Sequence, residues 1–353
     1  MNRRTLLATA SSALVAGSGT GADIPGAGEP GRAEVILRDG EISVAVAGER
    51  VRGTGISVQP DDLWHIGSNT KSMTALLAAR LHAAGRVDLD APLSALVPDA
   101  EIHAALQPVT LAELLQHRSG VKANVSMWSH FSLVGTDAER DARADRDLLA
   151  ARYLPREPDG ERGAFTYSNL GYVIAGFALE RATGARWESL IAEEVFVPLG
   201  LESAGFGPPG AGETDRRAAS QPWGHKAFIG TARGTAPLAK ADNPPYLSPA
   251  GRVHMSARDK GRYLLANLNR DEGFLPGALW SRLHEPVGEE TYAMGWGQAP
   301  DGSLIHDGSN GMWYCHMRIW PGRGIGYAAF ANEARPETSV WMAKAGNSLV
   351  SEG

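Results

Sequence analysis

Cysteine is almost absent from this sequence. The 353 residues contain one cysteine, Cys315, so an internal disulfide is excluded. Cys315 lies in the run 312–320, whose aromatic and β-branched residues are typical of a strand. We therefore expect a small buried side chain at this position rather than a second nucleophile.

Metal-binding patterns and an excess of basic residues are also missing. None of the ten histidines belongs to a His-Glu-x-x-His or similarly spaced set, so we expect neither a metal site nor a cofactor. The chain carries 34 Lys and Arg against 40 Asp and Glu, a net charge of -6. This balance favours neither nucleic acid nor an anionic membrane as a partner, and a small-molecule partner fits it better.

A long apolar run occurs only near the start of the sequence. Arg3 and Arg4 precede an apolar stretch that ends near Gly17, and small residues follow to Ala22. This pattern is typical of a signal peptide over 1–22, and the paired arginines resemble the twin-arginine signal, although the general secretory route accepts similar basic regions. The run is too short for a permanent anchor, so we expect an exported protein, periplasmic or secreted, without a stable membrane anchor.

Strand patterns lie at both ends of the remaining chain. Residues 33–48 alternate in polarity around Asp39-Gly40, a dipeptide suited to a tight hairpin. Towards the other end, short runs rich in aromatic and β-branched residues cover 292–297, 303–306, 313–320 and 326–332, and a closing helix is predicted over 336–349. We expect these strands to share one antiparallel sheet, contributed by about 33–66 and 290–353.

Helical patterns occupy the middle of the chain. They cover 68–84, 111–117, about 137–153, 170–183, 187–196 and 256–268. The stretch 205–249 is rich in Gly and Pro without a clear period, which predicts long loops that wall a pocket. The expected fold class is α/β: an antiparallel sheet flanked by helices, with a mostly helical insertion over about 85–250, in one domain spanning 23–353.

Ser68 and Lys71 form a Ser-x-x-Lys pair at the start of a predicted helix. Positions three apart share one helix face, so the lysine amine can take the proton that a serine must lose to become a nucleophile. The helix is apolar around most of its circumference, which predicts burial and a destabilised ammonium form of Lys71. A helix N-cap is the alternative role for Ser68. A second match, Ser119 and Lys122, follows a helix and is interrupted by a glycine, so we assign it to a loop.

A Tyr-x-Asn pair, Tyr167 and Asn169, occurs once, just before another predicted helix. A tyrosine hydroxyl can relay a proton, and an asparagine amide can both donate and accept hydrogen bonds. The alternative is an ordinary buried tyrosine in the turn that begins a helix.

A His-x-Gly sequence, His306 to Gly308, follows a predicted strand and continues into Ser309. Its glycine allows the backbone to approach a ligand closely. An earlier His-x-Gly begins at His65 and leads directly into Ser68, so we interpret it as the entry to the helix of the proposed nucleophile.

In this order and at wide separations, the three motifs resemble those of the β-lactamase-related serine hydrolases: class C β-lactamases, DD-peptidases, D-aminopeptidases and family VIII esterases. The Ser-Asp-Asn and Lys-Thr-Gly motifs of the class A enzymes do not occur, so the class C branch is the match. Further segments similar to the family extend the resemblance over roughly 33–345, namely 85–92, 109–120, 248–253 and 294–297.

The resemblance implies a β-lactamase/transpeptidase-like fold and an acyl-enzyme mechanism. Ser68 would attack a carbonyl, while Lys71 and Tyr167 would move protons as a coupled pair. The oxyanion hole would be the backbone N–H groups of Ser68 and Ser309. Asn169 and the segment 306–309 would contact a small ester, amide or D-amino-acid peptide substrate.

The third motif, His306 to Gly308, indicates which charge the substrate carries. The family commonly has a lysine at the place of His306, where it helps to hold a substrate carboxylate, and often a hydroxyl at the place of Asp307. A neutral imidazole carries no full charge, and Asp307 would repel an anion if it faced the substrate. If the Asp307 side chain instead faces solvent, it has no effect on the choice of substrate. We predict an esterase or amidase/peptidase; the alternatives are β-lactamase or DD-carboxypeptidase activity, or a non-hydrolytic relative that binds a ligand.

Overall fold

The computed structural model describes residues 28–134, 141–228, 231–238 and 241–351. The signal peptide predicted over 1–22 lies outside these residues. The strands are β1 (Arg32–Arg38), β2 (Glu41–Ala47), β3 (Leu63–His65), β4 (Gly205–Phe206), β5 (His225–Phe228), β6 (Thr231–Gly234), β7 (Val253–Ser256), β8 (Gly297–Gln298), β9 (Leu304–Ser309), β10 (Tyr314–Trp320) and β11 (Ile325–Ala331).

The helices lie mainly between β3 and β8. They are α1 (Thr70–Ala83), α2 (Leu93–Leu96), α3 (Leu111–Leu115), α4 (Met127–Val134), α5 (Ala142–Tyr153), α6 (Asn169–Thr183), α7 (Trp187–Ile191), α8 (Ser248–Gly251), α9 (Ala257–Asn269), α10 (Gly277–His284) and α11 (Pro336–Ser351). Among the described residues, no helix combines the length and apolar character needed to cross a bilayer.

The main sheet joins strands from both ends of the described chain. Its order is β2-β1-β11-β10-β9-β8, and the pairs between these neighbours are antiparallel. The first two strands turn at Asp39 and Gly40, whose φ angles of 53° and 80° suit a two-residue hairpin. The two ends of the described chain therefore share one antiparallel sheet, as expected, but at the N-terminal end only β1 and β2 take part in it.

Helices cover both faces of this sheet. Helix α9 packs on β1 and β11 from one side, and α11 packs on β10 and β11 from the other. The larger core lies on the α9 side and includes α1, which is buried around most of its circumference. This burial places the first turn of α1 inside the protein, and the predicted fold class is confirmed.

Three local features differ from the sequence prediction. Ser68 lies in a 3₁₀ turn, Gly67–Asn69, that precedes α1 rather than in the α-helix itself. Strand β3 pairs with β7 in a separate three-stranded sheet. The stretch 205–249, predicted as loops, contains β4 and the β5–β6 hairpin. These strands have two to four residues each, too few for a polarity period to be visible in the sequence.

Cys315 is buried in β10, as its sequence neighbourhood indicated. Burial raises the pKa of its thiol to about 12. The side chain is therefore a neutral thiol at physiological pH and lacks the thiolate that nucleophilic chemistry requires.

Candidate active site

Ser68 and Lys71 meet where the 3₁₀ turn runs into α1. The Nζ atom of Lys71 lies 3.0 Å from Ser68 Oγ. Lys71 also donates to Asn169 Oδ1 at 2.7 Å and to the carbonyl of Ala250 at 2.8 Å. A neutral amine has two N–H donors, which these two oxygens satisfy, so its lone pair is left to face the serine hydroxyl.

The electrostatic surroundings of Lys71 favour this neutral form. The side chain is fully buried, and burial lowers the pKa of its amine well below the ordinary value. Its hydrogen-bond partners are a hydroxyl, an amide oxygen and a peptide carbonyl, none of which carries a full negative charge. The surroundings of Lys71 therefore favour the neutral amine, which is the form that can accept a proton.

Tyr167 completes a cluster with these two side chains. Lys71 Nζ lies 4.9 Å from the centre of its ring, and the Tyr167 hydroxyl is near enough to Ser68 for the two groups to interact. Burial raises the pKa of Tyr167 to about 12, and the contact with Ser68 opposes this rise only in part. The phenol is therefore protonated at neutral pH and can act as a proton donor.

Asn169 begins α6 beside this cluster. Its Oδ1 accepts from Lys71, and its Nδ2 donates to Asn124 Oδ1 at 2.8 Å. The side chain of Ser168 caps the helix by accepting from Gly171 N–H at 2.7 Å. The cap and the two amide contacts fix Asn169 against the lysine.

Two glycines bring the Ser68 and Ser309 segments together. Gly67 has φ +50°, and a Cβ on it would lie 2.3 Å from Ser309 N. A Cβ on Gly308 would lie 2.0 Å from the Ile66 carbonyl oxygen and 2.8 Å from Ser68 N. Neither position has room for a side chain, so the two main chains are in direct contact, as an oxyanion hole built from their N–H groups requires.

His306 is buried on the face of β9 that points towards this cluster. Its Nδ1 lies 2.7 Å from the Asp307 carbonyl, which can only accept, so Nδ1 carries the proton. Nε2 then accepts from the hydroxyl of Tyr292 at 2.9 Å. Burial, assisted by Lys71, lowers the pKa of His306 to about 4. Both nitrogens are engaged, and the ring offers a substrate carboxylate neither a charge nor a free donor.

Asp307 lies on the opposite face of β9, because successive residues of a strand point to opposite sides. Its carboxylate contacts Nδ1 of His316, its pairing partner on β10, at 2.7 Å. Burial alone would raise the pKa of Asp307, but the interactions with His316 and, to a smaller extent, with Tyr314 and His306 outweigh burial and lower it. The carboxylate is thus turned away from His306 and from Ser68, which matches the alternative in which Asp307 does not face the substrate.

The second Ser-x-x-Lys pair is not brought together. Ser119 Oγ accepts from Val121 N–H at 3.3 Å, and Lys122 forms an ion pair with Asp159 at 2.7 Å. The glycine between them, Gly120, has φ +74°, which ends any helical continuation. The segment is a loop, as predicted.

His117 lies in the segment 109–120, and the sequence motifs give it no functional role. Thr166 N–H donates to its carbonyl at 2.8 Å, and Ser168 N–H donates to its Nδ1 at 3.0 Å. Its ring centre lies 4.2 Å from that of Tyr167. His117 therefore holds the main chain on both sides of the tyrosine. No local sequence pattern indicates this role, because the bonded residues Thr166 and Ser168 follow His117 by about fifty residues.

Buried neutral histidines make stability depend on pH. Burial lowers the pKa values of His117, His284 and His306 to about 2, 3 and 4, below the ordinary 6.5. Below pH 6.5 the unfolded chain binds more protons at these positions, so stability falls as pH falls. We expect urea unfolding at pH 7, 6 and 5 to show a decrease of at most about 1.4 kcal/mol per pH unit for each histidine. In His284→Gln the free energy of unfolding should fall less steeply with decreasing pH. A slope equal to that of wild type would contradict the assignment of His284 as a buried neutral histidine.

Among the described residues, no cluster of three or more His, Cys, Asp or Glu side chains is placed to hold a metal ion. The chemical groups brought together around Ser68 are instead a serine hydroxyl, a buried amine, a phenol and closely packed backbone. This set is suited to nucleophilic attack on a carbonyl.

Comparison with known proteins gives consistent matches. The Beta-lactamase family model matches residues 15–345. Penicillin-binding protein 4 of Amycolatopsis lactamdurans is 28% identical over 334 residues, which cover 86% of this chain and 81% of that protein. Esterase EstB of Burkholderia gladioli is 29% identical over 296 residues, covering 76% of this chain and 73% of that protein.

The solved structures agree with the sequence matches. An octameric penicillin-binding protein homologue from Pyrococcus abyssi has a TM-score of 0.71 and 25% identity, over 91% of this chain and 73% of that chain. The resemblance that the three motifs indicated is confirmed. Because the family model covers nearly the whole described chain, the protein belongs to the Beta-lactamase family.

Proposed function

We propose that this serine hydrolase forms an acyl-enzyme on Ser68 and acts on esters or amides without a carboxylate beside the scissile bond. The observation that carries the proposal is the 3.0 Å contact between Ser68 Oγ and a buried Lys71 whose two other contacts are acceptors. A serine without such a base is a poor nucleophile.

In the acylation step, Ser68 Oγ forms a bond to the substrate carbonyl carbon while its proton passes to Lys71. The negative charge on the carbonyl oxygen is stabilised by the N–H groups of Ser68 and Ser309. Tyr167 gives its proton to the leaving group as the carbonyl–heteroatom bond breaks, and it is reprotonated from Lys71. The transfers leave the lysine neutral again.

Deacylation reverses the same path with water in place of the leaving group. Lys71 and Tyr167 take a proton from the water, whose oxygen attacks the acyl carbon, and Ser68 regains its proton when the acid is released. The amide of Asn169, fixed by Lys71 and Asn124, keeps the lysine aligned through both steps.

The neutral state of His306 supports the choice of substrate. A carboxylate needs a cation or a free donor, and both nitrogens of this ring are engaged by Tyr292 and the Asp307 carbonyl. The similarity to an esterase supports the ester branch, whereas that to a penicillin-binding protein supports an amide substrate. A D-amino-acid peptide is a candidate where its carboxylate lies away from His306.

The N-terminal pattern supports export of the enzyme. Two arginines, an apolar run and small residues over 1–22 are those of a signal peptide, and the twin-arginine route accounts for the paired arginines. The rest, 23–353, is proposed to be a single catalytic domain in the periplasm or outside the cell.

Covalent labelling tests the proposed function directly. A fluorophosphonate probe should label the wild-type protein at Ser68, as shown by peptide mass spectrometry, while a fluorescent penicillin labels it weakly. A parallel panel of p-nitrophenyl esters, D-amino-acid amides and nitrocefin then defines the leaving group. Folded protein that takes no fluorophosphonate label would favour the alternative of a non-hydrolytic ligand-binding relative, and efficient turnover of nitrocefin would favour a β-lactamase.

Substrate preference should change when a cation is placed at the third motif. His306→Lys is expected to raise kcat/KM for a carboxylate-bearing substrate such as nitrocefin, relative to a neutral ester, by roughly tenfold, the value of one gained charged contact. Asp307→Thr is the matched control: because this side chain lies on the other face of β9, the ratio should stay within about threefold of wild type. A large gain from Asp307→Thr alone would contradict the orientation of Asp307.

A further inference from the structure

The two halves of the proposed oxyanion hole come from distant parts of the chain. Ser68 follows β3, whereas Ser309 ends β9, and these strands belong to different sheets. Gly67 and Gly308 allow the two main chains to touch, but a glycine contact provides no directional bond. Asn69 Nδ2 donates to the His306 carbonyl at 3.3 Å, and a second, buried connection between the two segments runs through Asp242.

On the Ser68 side, the connecting group is His65. Its Nδ1 accepts the Gly67 N–H at 3.1 Å, so Nδ1 is unprotonated and the proton of the neutral ring lies on Nε2. That Nε2 lies 2.8 Å from Asp242 Oδ1, although the N–H direction is poorly aligned with this oxygen. The side chains of both residues are fully buried. The turn before Ser68 is thereby tied to Asp242.

On the Ser309 side, the connecting group is Asn310. Its Nδ2 donates to Asp242 Oδ1 at 3.2 Å, and its Oδ1 accepts from the N–H groups of Met312 and Trp313, each at 3.1 Å. Ser309 Oγ donates to the Trp313 carbonyl at 2.8 Å within the same turn. The amide of Asn310 therefore shapes the turn after β9 and ties it to the carboxylate that His65 faces.

Asp242 is held as a carboxylate at the junction. Burial alone would raise its pKa, but His65, Arg252 and Asn310 outweigh burial and lower it. Arg252 Nε lies 3.1 Å from Oδ2, and Asn243 N–H donates to Oδ1 at 2.6 Å. Because both of its oxygens are bound by neighbouring groups, the carboxylate is held in one position between the Ser68 and Ser309 segments.

We propose that Asp242, through His65 and Asn310, is a positioning residue that keeps the N–H groups of Ser68 and Ser309 aimed at one oxyanion. This inference rests on the proposed function, since it assigns a role within the same hydrolysis. Loss of one preorganised oxyanion donor costs about two to three orders of magnitude in rate, and misplacement of the donors is expected to cost part of that.

The test uses Asp242→Asn, Asn310→Ala and a control, Glu180→Gln. Glu180 is as buried as Asp242 and pairs with Arg146, but it contacts neither oxyanion segment. For a neutral ester, kcat should fall roughly 10- to 100-fold in the first two variants, with KM within about threefold of wild type. Glu180→Gln should keep the wild-type kcat even if its melting temperature falls.

A boronic acid inhibitor separates positioning from a general loss of structure. Its adduct with Ser68 places an oxygen in the oxyanion hole, so its affinity should weaken in parallel with kcat/KM in the Asp242 and Asn310 variants. Wild-type kcat and inhibitor affinity in these two variants would overturn the inference, as would an equal loss in Glu180→Gln. If Asp242→Asn does not fold, the kcat and inhibitor affinity of Asn310→Ala alone test the inference. Absence of Ser68 labelling in the wild type would instead overturn the proposed function.

Discussion

Ser68→Ala should lower the turnover of any substrate by at least about a thousandfold, because it removes the atom that forms the acyl-enzyme. The fold should be retained. In the structure the Ser68 hydroxyl caps no helix: the residue before α1 is Asn69, and no side-chain cap bond is present there. Steady-state kinetics with a p-nitrophenyl ester, together with a thermal melt, would measure both effects.

The control for this variant is Ser119→Ala, which changes the serine of the second Ser-x-x-Lys pair. Ser119 is buried, and among the described residues its hydroxyl is hydrogen-bonded within its own loop, so activity should stay within about threefold of wild type. An inactive Ser119→Ala enzyme would place the nucleophile in the second Ser-x-x-Lys pair. Residual activity of Ser68→Ala above one part in a thousand would show that the serine is not the nucleophile.

Lys71→Arg is expected to be nearly as inactive as Lys71→Ala, with kcat/KM for both at least about a hundredfold below wild type. Arginine retains the positive charge but cannot be deprotonated in a protein, so it cannot accept the Ser68 proton. The larger guanidinium must also occupy a fully buried position whose contacts with Asn169 and Ala250 fit an amine. Acylation rates with the fluorophosphonate probe would isolate the step in which the base acts.

Lys122→Arg is the matched substitution at the second motif. Lys122 is partly exposed and pairs with Asp159, a contact that arginine can also make, so its kinetics should be those of wild type. A substantially active Lys71→Arg enzyme would show that Lys71 serves as a fixed charge. The base would then have to be Tyr167, whose pKa of about 12 makes deprotonation costly unless a cation stands beside it.

The orientation of Asp307 alters the argument about substrates. The sequence suggested that its charge repels anions, but the carboxylate lies with His316 on the other face of the sheet. Discrimination against a carboxylate is therefore expected to come from His306, which is neutral and has both nitrogens engaged, rather than from repulsion. The lack of an attractive contact disfavours an anionic substrate less than repulsion by a like charge would. Slow turnover of anionic substrates is therefore compatible with the proposed function.

Much of the site was predictable because its central contact is local. Ser68 lies in the 3₁₀ turn and Lys71 in the first turn of α1, and residues three apart lie on one side of both kinds of helix, so the spacing brings the two side chains together. The apolar sequence of α1 likewise predicted the burial that lowers the lysine pKa. The resemblance supplied Tyr167 and Asn169, which the fold brings to the same point.

What the sequence by itself determined was the family, the strand-bearing ends of the chain and the Ser-x-x-Lys geometry, since these depend on motifs, polarity patterns and neighbours within one helical turn. The tertiary structure alone decided which face of β9 carries Asp307 and that the Tyr292 hydroxyl donates to His306. It also decided that His117 bonds the main chain beside Tyr167 and that Asp242 contacts both His65 and Asn310. Each of these depends on the register of strands or the packing of segments far apart in sequence, and side-chain contacts across such distances leave no local pattern.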